Sequence, residues 1–330
     1  MTTATRFRRL RAALGGLLAA AAGIGCSPPD RHPTRPEAVP ATPYEQRDAV
    51  VDGLRLRYID VGPYEDGDGS TVLLIHGHTS RIEEYDGLVP ILARRRRVLV
   101  PDLPGSGYSD KPEREYTLAF YEDTLVHFLD GLGVERAHLA GGSQGGNLVL
   151  RLAHRFPSRF DRLAPWAPGS AWEARPWVAA AIRALNSYVI FWPMVKIQSR
   201  YWYSDDWPNK DETLRNTFTY YDEVMCPGFV DMYFGMAADQ VGRTLFDLAP
   251  QIRQPVLLAW GDRDHGANMG EGVKRLHELL PHSELLVFKG ARHSLAAEVP
   301  EPLAGAIAAF LDRPEAELPG TDRVIRPSSH

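Results

Sequence analysis

Apolar and polar residues alternate along Gln46–Val51 and again along Leu54–Val61, with Asp52-Gly53 between them. A period of two on either side of an Asp-Gly pair predicts an antiparallel hairpin. Beyond it, short apolar runs take turns with longer stretches of helical period. The runs are Thr71–Ile75 (TVLLI), Val98–Val100, Arg136–Ala140, Arg162–Ala164, Pro255–Trp260 and Glu284–Phe288. The helical stretches fall near Ile82–Ala93, Leu118–Leu132, Gly146–Phe156, which Pro157 stops, and Met269–Leu280. Mostly apolar runs predict strands buried on both faces. Their alternation with helices predicts an α/β protein with a mostly parallel sheet and helices on both faces.

The alternation fails between about residues 168 and 248. Helical patterns dominate there, at Trp177–Ser187, Asp211–Asp222 and Phe229–Gln240, and the stretch is longer than a crossover needs. It reads as a helical cap inserted over one edge of the sheet. Six of the seven tryptophans, from Trp166 to Trp207, fall in or just before it. Most serve as the core of a small subdomain, and the rest would line an apolar pocket or meet lipid at an interface. After Arg313 the tail (residues 314–330) shows charge, proline and no period, so it is expected to be loosely packed.

The chemistry is concentrated where predicted strands end. Gly141-Gly142-Ser143-Gln144-Gly145 joins a strand to a helix by a turn so tight that the positions two before and two after the serine must lack side chains. Such a turn lifts the Ser143 hydroxyl above the sheet. Asp262 and Asp264 follow the strand Pro255–Trp260, and His293 follows the strand Glu284–Phe288. A hydroxyl is a poor nucleophile at neutral pH, so an imidazole must accept its proton, and a carboxylate must fix the imidazole tautomer. Serine, aspartate and histidine at successive ends of parallel strands can supply all three. At the end of Thr71–Ile75 stands His76-Gly77-His78-Thr79-Ser80, where the backbone N–H of His78 could join that of Gln144 around a developing oxyanion.

HGHTS (His76–Ser80), DLPGSGYSD (Asp102–Asp110), GGSQG (Gly141–Gly145), GDRD (Gly261–Asp264) and GARH (Gly290–His293) occur in this order. Together they resemble the capped serine-hydrolase branch of the α/β-hydrolase superfamily, which includes esterases, meta-cleavage hydrolases and proline iminopeptidases. The resemblance spans roughly residues 44–313 and implies the α/β-hydrolase fold with a cap at about 168–248. It implies Ser143 as nucleophile, Asp264 as acid with Asp262 as the runner-up, His293 as base, and the His78 and Gln144 amides as the oxyanion hole. The implied activity forms an acyl-enzyme from a small-molecule substrate, foremost a carboxylic ester with an apolar or aromatic acyl group. Hydrolysis of a C–C bond, proline iminopeptidase activity, or a non-catalytic ligand-binding or sensory role on the same scaffold are the alternatives. No cofactor is implied.

The N-terminus is different in kind. Arg6, Arg8, Arg9 and Arg11 precede an apolar stretch, Ala12–Gly25, that is too short to span a bilayer comfortably. Residues 1–25 therefore read as an export signal. Cys26 stands where a bacterial lipoprotein signal places its lipidated cysteine, so the expectation is an exported cell-envelope protein held to the membrane through Cys26. Secretion without an anchor is the alternative. Residues 26–43, with six prolines, would form a stiff tether. Removing residues 1–25 takes away four arginines and no acid, so the net charge falls from −5 to −9. An acidic chain without a basic face argues against nucleic acid as partner. The only other cysteine, Cys226, has no CxxC or histidine neighbour, and no metal-ligand spacing appears, so neither a disulfide nor a metal is expected. The oligomeric state is not legible.

Overall fold

The computed structural model describes residues 41–265 and 269–326. The segment read as an export signal (residues 1–25), Cys26 and most of the segment read as a tether lie outside the described residues.

The hairpin forms as the pattern predicts. β1 (Gln46–Val51) and β2 (Leu54–Val61) pair antiparallel, and Asp52 and Gly53 both take positive φ, the conformation a two-residue hairpin loop requires. β3 (Thr71–Ile75), β4 (Arg97–Pro101), β5 (Ala137–Gly142), β6 (Phe160–Trp166), β7 (Val256–Gly261) and β8 (Ser283–Phe288) follow. With β9 (Arg323–Ile325) they form one nine-stranded sheet in the order β1-β2-β4-β3-β5-β6-β7-β8-β9. β2 runs antiparallel to both its neighbours, and the remaining pairs are parallel.

Period-two geometry divides each central strand between two cores. Leu73 and Ile75 of β3 face one cluster, while Val72 and Leu74 face the other. Val256 and Leu258 of β7 join the first and Leu257 and Ala259 the second. α1 (Leu118–Gly131), α2 (Gln144–Arg155) and α7 (Met269–Leu279) contribute to the first core, and α8 (Pro300–Asp312) to the second.

Between β6 and β7 the chain leaves the sheet for four helices: α3 (Pro176–Ala184), α4 (Tyr188–Gln198), α5 (Lys210–Val224) and α6 (Pro227–Val241). Three helical patterns were legible here and four helices form. The pattern at Trp177–Ser187 ends early because Ser187 starts a new helix, its side chain accepting from Val189 N–H at 3.2 Å.

Two further expectations are corrected. The helix read at Ile82–Ala93 is a 3₁₀ turn (Ile82–Tyr85) and a separate helical turn (Val89–Leu92). Pro90 has no N–H to donate back into the preceding turn, and Gly87 packs so closely on Pro300 that a Cβ there would lie 2.7 Å from the proline ring. Residues 314–326 are also more ordered than their composition suggests. Residues 323–325 pair with β8, and buried Glu284 binds Arg313 at 2.8 and 3.1 Å, so the folded domain extends beyond residue 313.

Candidate active site

The turn between β5 and α2 is strained. Ser143 has φ +54° and ψ −115°, a conformation that a non-glycine residue adopts only when its surroundings force it. Three backbone bonds do so: Ser143 N–H to Trp166 O (3.0 Å), and Gly169 N–H (2.8 Å) and Asn147 N–H (3.0 Å) to Ser143 O. The glycines permit the close approach to β3. A Cβ on Gly141 would sit 2.6 Å from the Ile75 carbonyl oxygen, and one on Gly145 would strike the same atom. Tyr85 closes the gap: its hydroxyl donates to Ile75 O (2.8 Å) and accepts from Gly142 N–H (3.2 Å).

At the neighbouring strand ends the two aspartates separate clearly. Asp264 is 1% exposed, and its Oδ2 lies 2.8 Å from His293 Nδ1. Asp262 turns the other way, accepting from Gly290 N–H (2.7 Å) and pairing with Lys289 (3.1 Å), so it braces the loop that carries the histidine. Burial alone would lower the His293 pKa. The charge and hydrogen bond of Asp264, with Glu84 and Glu298 farther off, outweigh it and raise the pKa above the usual histidine value. Ser143, Asp264 and His293 line one cavity of about 890 Å³ beneath the helical insertion. The Ser143 hydroxyl makes no hydrogen bond with another described residue.

The loop after β3 forms the facing wall. His76 is buried, with its Nε2 accepting from Leu103 N–H (2.9 Å), which leaves the proton on Nδ1 to donate to Gly77 O (2.8 Å). Its pKa is lowered by burial, so the ring stays a neutral brace. His78 stacks on Tyr233 of α6 (centroids 5.0 Å apart, 13° between planes), and burial pushes its pKa down to about 4. Thr79 holds φ +61°, unusual for a β-branched residue. Its hydroxyl donates to His78 O (2.5 Å), which leaves the Tyr221 hydroxyl of α5 as the donor in the 2.7 Å contact between the two. Among the described residues, the backbone N–H groups of His78 and Gln144 donate to no protein group.

Asp102 ties this wall to the sheet. Its buried carboxylate accepts from Arg57 Nε (2.6 Å), Ile82 N–H (2.8 Å) and Tyr108 N–H (2.7 Å). The charge and hydrogen bond of Arg57 hold its pKa below the usual carboxylate range, against the effect of burial. The insertion grips the histidine loop as well. Trp202 O accepts from Ser294 N–H (2.9 Å), and Arg292 donates to Arg200 O (2.9 Å) and to Asp205 (2.7 Å). Of the cap tryptophans, Trp172, Trp202 and Trp207 line the cavity, whereas Trp177 is exposed. Tyr85, Thr79 and Tyr221 were not legible as site residues; only the breach of β-branched preference at Thr79 marks one of them, and that is visible only in the folded chain.

A family model described as "alpha/beta hydrolase fold" matches residues 70–197. The chain is 28% identical over 298 residues to the cis-3-alkyl-4-alkyloxetan-2-one decarboxylase of Xanthomonas campestris pv. campestris, covering 80% of this chain and 94% of that one. An uncharacterized protein of Mycobacterium tuberculosis, Rv2715, is 27% identical over 273 residues, or 76% of this chain and 77% of its own. Among solved structures, the enol-lactonase of Burkholderia xenovorans LB400 superposes with a TM-score of 0.71 at 21% identity, covering 81% of this chain and 100% of that one. That last likeness is one of fold.

Proposed function

We propose, for a chain with the α/β-hydrolase fold, a serine-hydrolase activity on carboxylic esters with an apolar or aromatic acyl group. The observation that carries this reading is the 2.8 Å bond between Asp264 and His293 in the wall of the cavity that also holds Ser143 on its strained turn. In this reading the Ser143 hydroxyl attacks the ester carbonyl while His293 Nε2 takes its proton, and the buried Asp264 carboxylate steadies the imidazolium. The carbonyl oxygen, now negative, is met by the His78 and Gln144 amides, each such donor being worth roughly 3 kcal/mol of barrier. His293 then protonates the leaving alcohol, and water activated by the same imidazole releases the acid. The aromatic walls of the cavity favour an apolar acyl group.

Turnover of a 4-nitrophenyl ester series by wild type and Ser143→Ala tests this. Loss of turnover in the variant supports the reading, and equal rates reject it.

A further inference from the structure

The insertion has an outer face as distinctive as its inner one. Among the described residues eight large apolar side chains are exposed, and five of them fall in one short stretch: Trp177, Leu185, Val189, Ile197 and Tyr201. Val189, Pro193 and Ile197 lie four residues apart on α4, which places them on one side of the helix, with Tyr201 just beyond its end. The opposite side of α4 is already used, since Phe191 and Val195 are buried and Met194 and Gln198 line the cavity. The exposed row is therefore left without a protein partner among the described residues.

Its charge is equally one-sided. Residues 174–204 contain Arg175, Arg183, Lys196 and Arg200 and no aspartate or glutamate, in a chain whose net charge is −5, and of these four Arg183 is paired with Asp239 (3.6 Å). The acids at either end are neutralised from elsewhere: Glu173 by Arg275 (2.9 Å), Asp205 by Arg292 (2.7 Å) and Asp206 by Arg263 (2.8 Å). An apolar helical row with Lys196 beside it and Arg200 and Tyr201 just beyond its end has the chemistry of a surface that lies in the headgroup layer of an anionic membrane. No described helix is long and apolar enough to cross a membrane, so a surface contact is the geometry that fits.

We infer that the outer face of α4 docks on an anionic phospholipid bilayer. Tyr201 belongs to both this face and the cavity wall, so docking brings the cavity to the lipid surface. Resting on the ester-hydrolase reading, the consequence is that substrates reach Ser143 from the membrane rather than from bulk water.

Flotation of the full-length chain with vesicles of phosphatidylcholine alone, or of phosphatidylcholine with phosphatidylglycerol, at low and high salt tests the docking. Wild type is compared with Lys196→Gln/Arg200→Gln and with Val189→Ser/Ile197→Ser. Residues 1–40 are common to all samples, so differences between them report the face alone. Each cation removed is expected to weaken binding to the anionic vesicles about fivefold. The apolar pair is expected to weaken binding roughly tenfold at either salt. Turnover of a soluble ester should be unchanged in both variants, because none of the four side chains touches the cavity and Arg200→Gln keeps the backbone carbonyl that accepts from Arg292. Unchanged vesicle affinity in both variants would overturn the docking, as would loss of a concentration-dependent dimer in their place, which would assign the face to a second copy. Absence of ester turnover in wild type would instead remove the hydrolase reading and leave the vesicle result standing.

Discussion

Exchanging Asp264 and Asp262 separately for asparagine divides the site from its scaffold. Asp264 is 1% exposed and faces His293 Nδ1 at 2.8 Å. Asparagine has nearly the same shape, so the cavity should persist, but its amide can present N–H to Nδ1 and move the imidazole proton to Nε2. That tautomer cannot accept the proton of Ser143. The expected fall in kcat is on the order of 10³–10⁴, equivalent to about 4–5.5 kcal/mol of barrier, with KM little changed. Asp262→Asn keeps a carbonyl acceptor for Gly290 N–H and loses mainly the half-exposed pair with Lys289, worth at most about 1 kcal/mol. Its kcat should stay within roughly threefold of wild type. Steady-state kinetics on a 4-nitrophenyl ester, with thermal melts to confirm folding, reads both. A large loss in Asp262→Asn beside near-normal Asp264→Asn would refute the assignment of the acid.

Tyr221→Phe removes the hydroxyl that donates to Thr79, whose φ is positive, and so loosens the side chain that donates to the His78 carbonyl. A kcat reduced roughly tenfold at similar KM is expected, with the affinity for a trifluoromethyl ketone falling in parallel. Equal losses in ketone and product affinity would mark Tyr221 as merely structural. The raised pKa of His293 sets the acid limb of kcat/KM above the ordinary histidine value, because the base works only when neutral. Stability runs the other way. A histidine whose pKa is raised on folding stabilises the fold fully below its unfolded pKa, and that contribution is lost as pH rises through the folded value. Melts and pH–rate profiles of wild type and Asp264→Asn check both, the acid limb moving down in the variant.

The two-core sheet was legible because its strands are short apolar runs that need nothing beyond local pattern to be recognised. Ser143 was legible for a similar reason, since the glycines around it record how closely the turn meets Ile75. The residues alone left Asp262 and Asp264 both open, because both follow β7; the resemblance ranked Asp264 first, and the approach of the His293 loop separates them. Tyr85 and Tyr221 were hidden more deeply. Each acts through one hydroxyl on a partner distant in sequence, 142 positions away for Tyr221 and Thr79, and no periodicity carries such information. β9 was missed because three residues are too few for a pattern, and its order comes from pairing with β8 and from the ion pairs of Glu284.

Reaction with a fluorophosphonate, followed by peptide mapping and intact mass, bears most directly on the serine as nucleophile. A single adduct on Ser143 is expected in wild type, absent in Ser143→Ala and formed far more slowly in His293→Ala. An adduct on a different residue, or labelling of Ser143 at the same rate without His293, would contradict it.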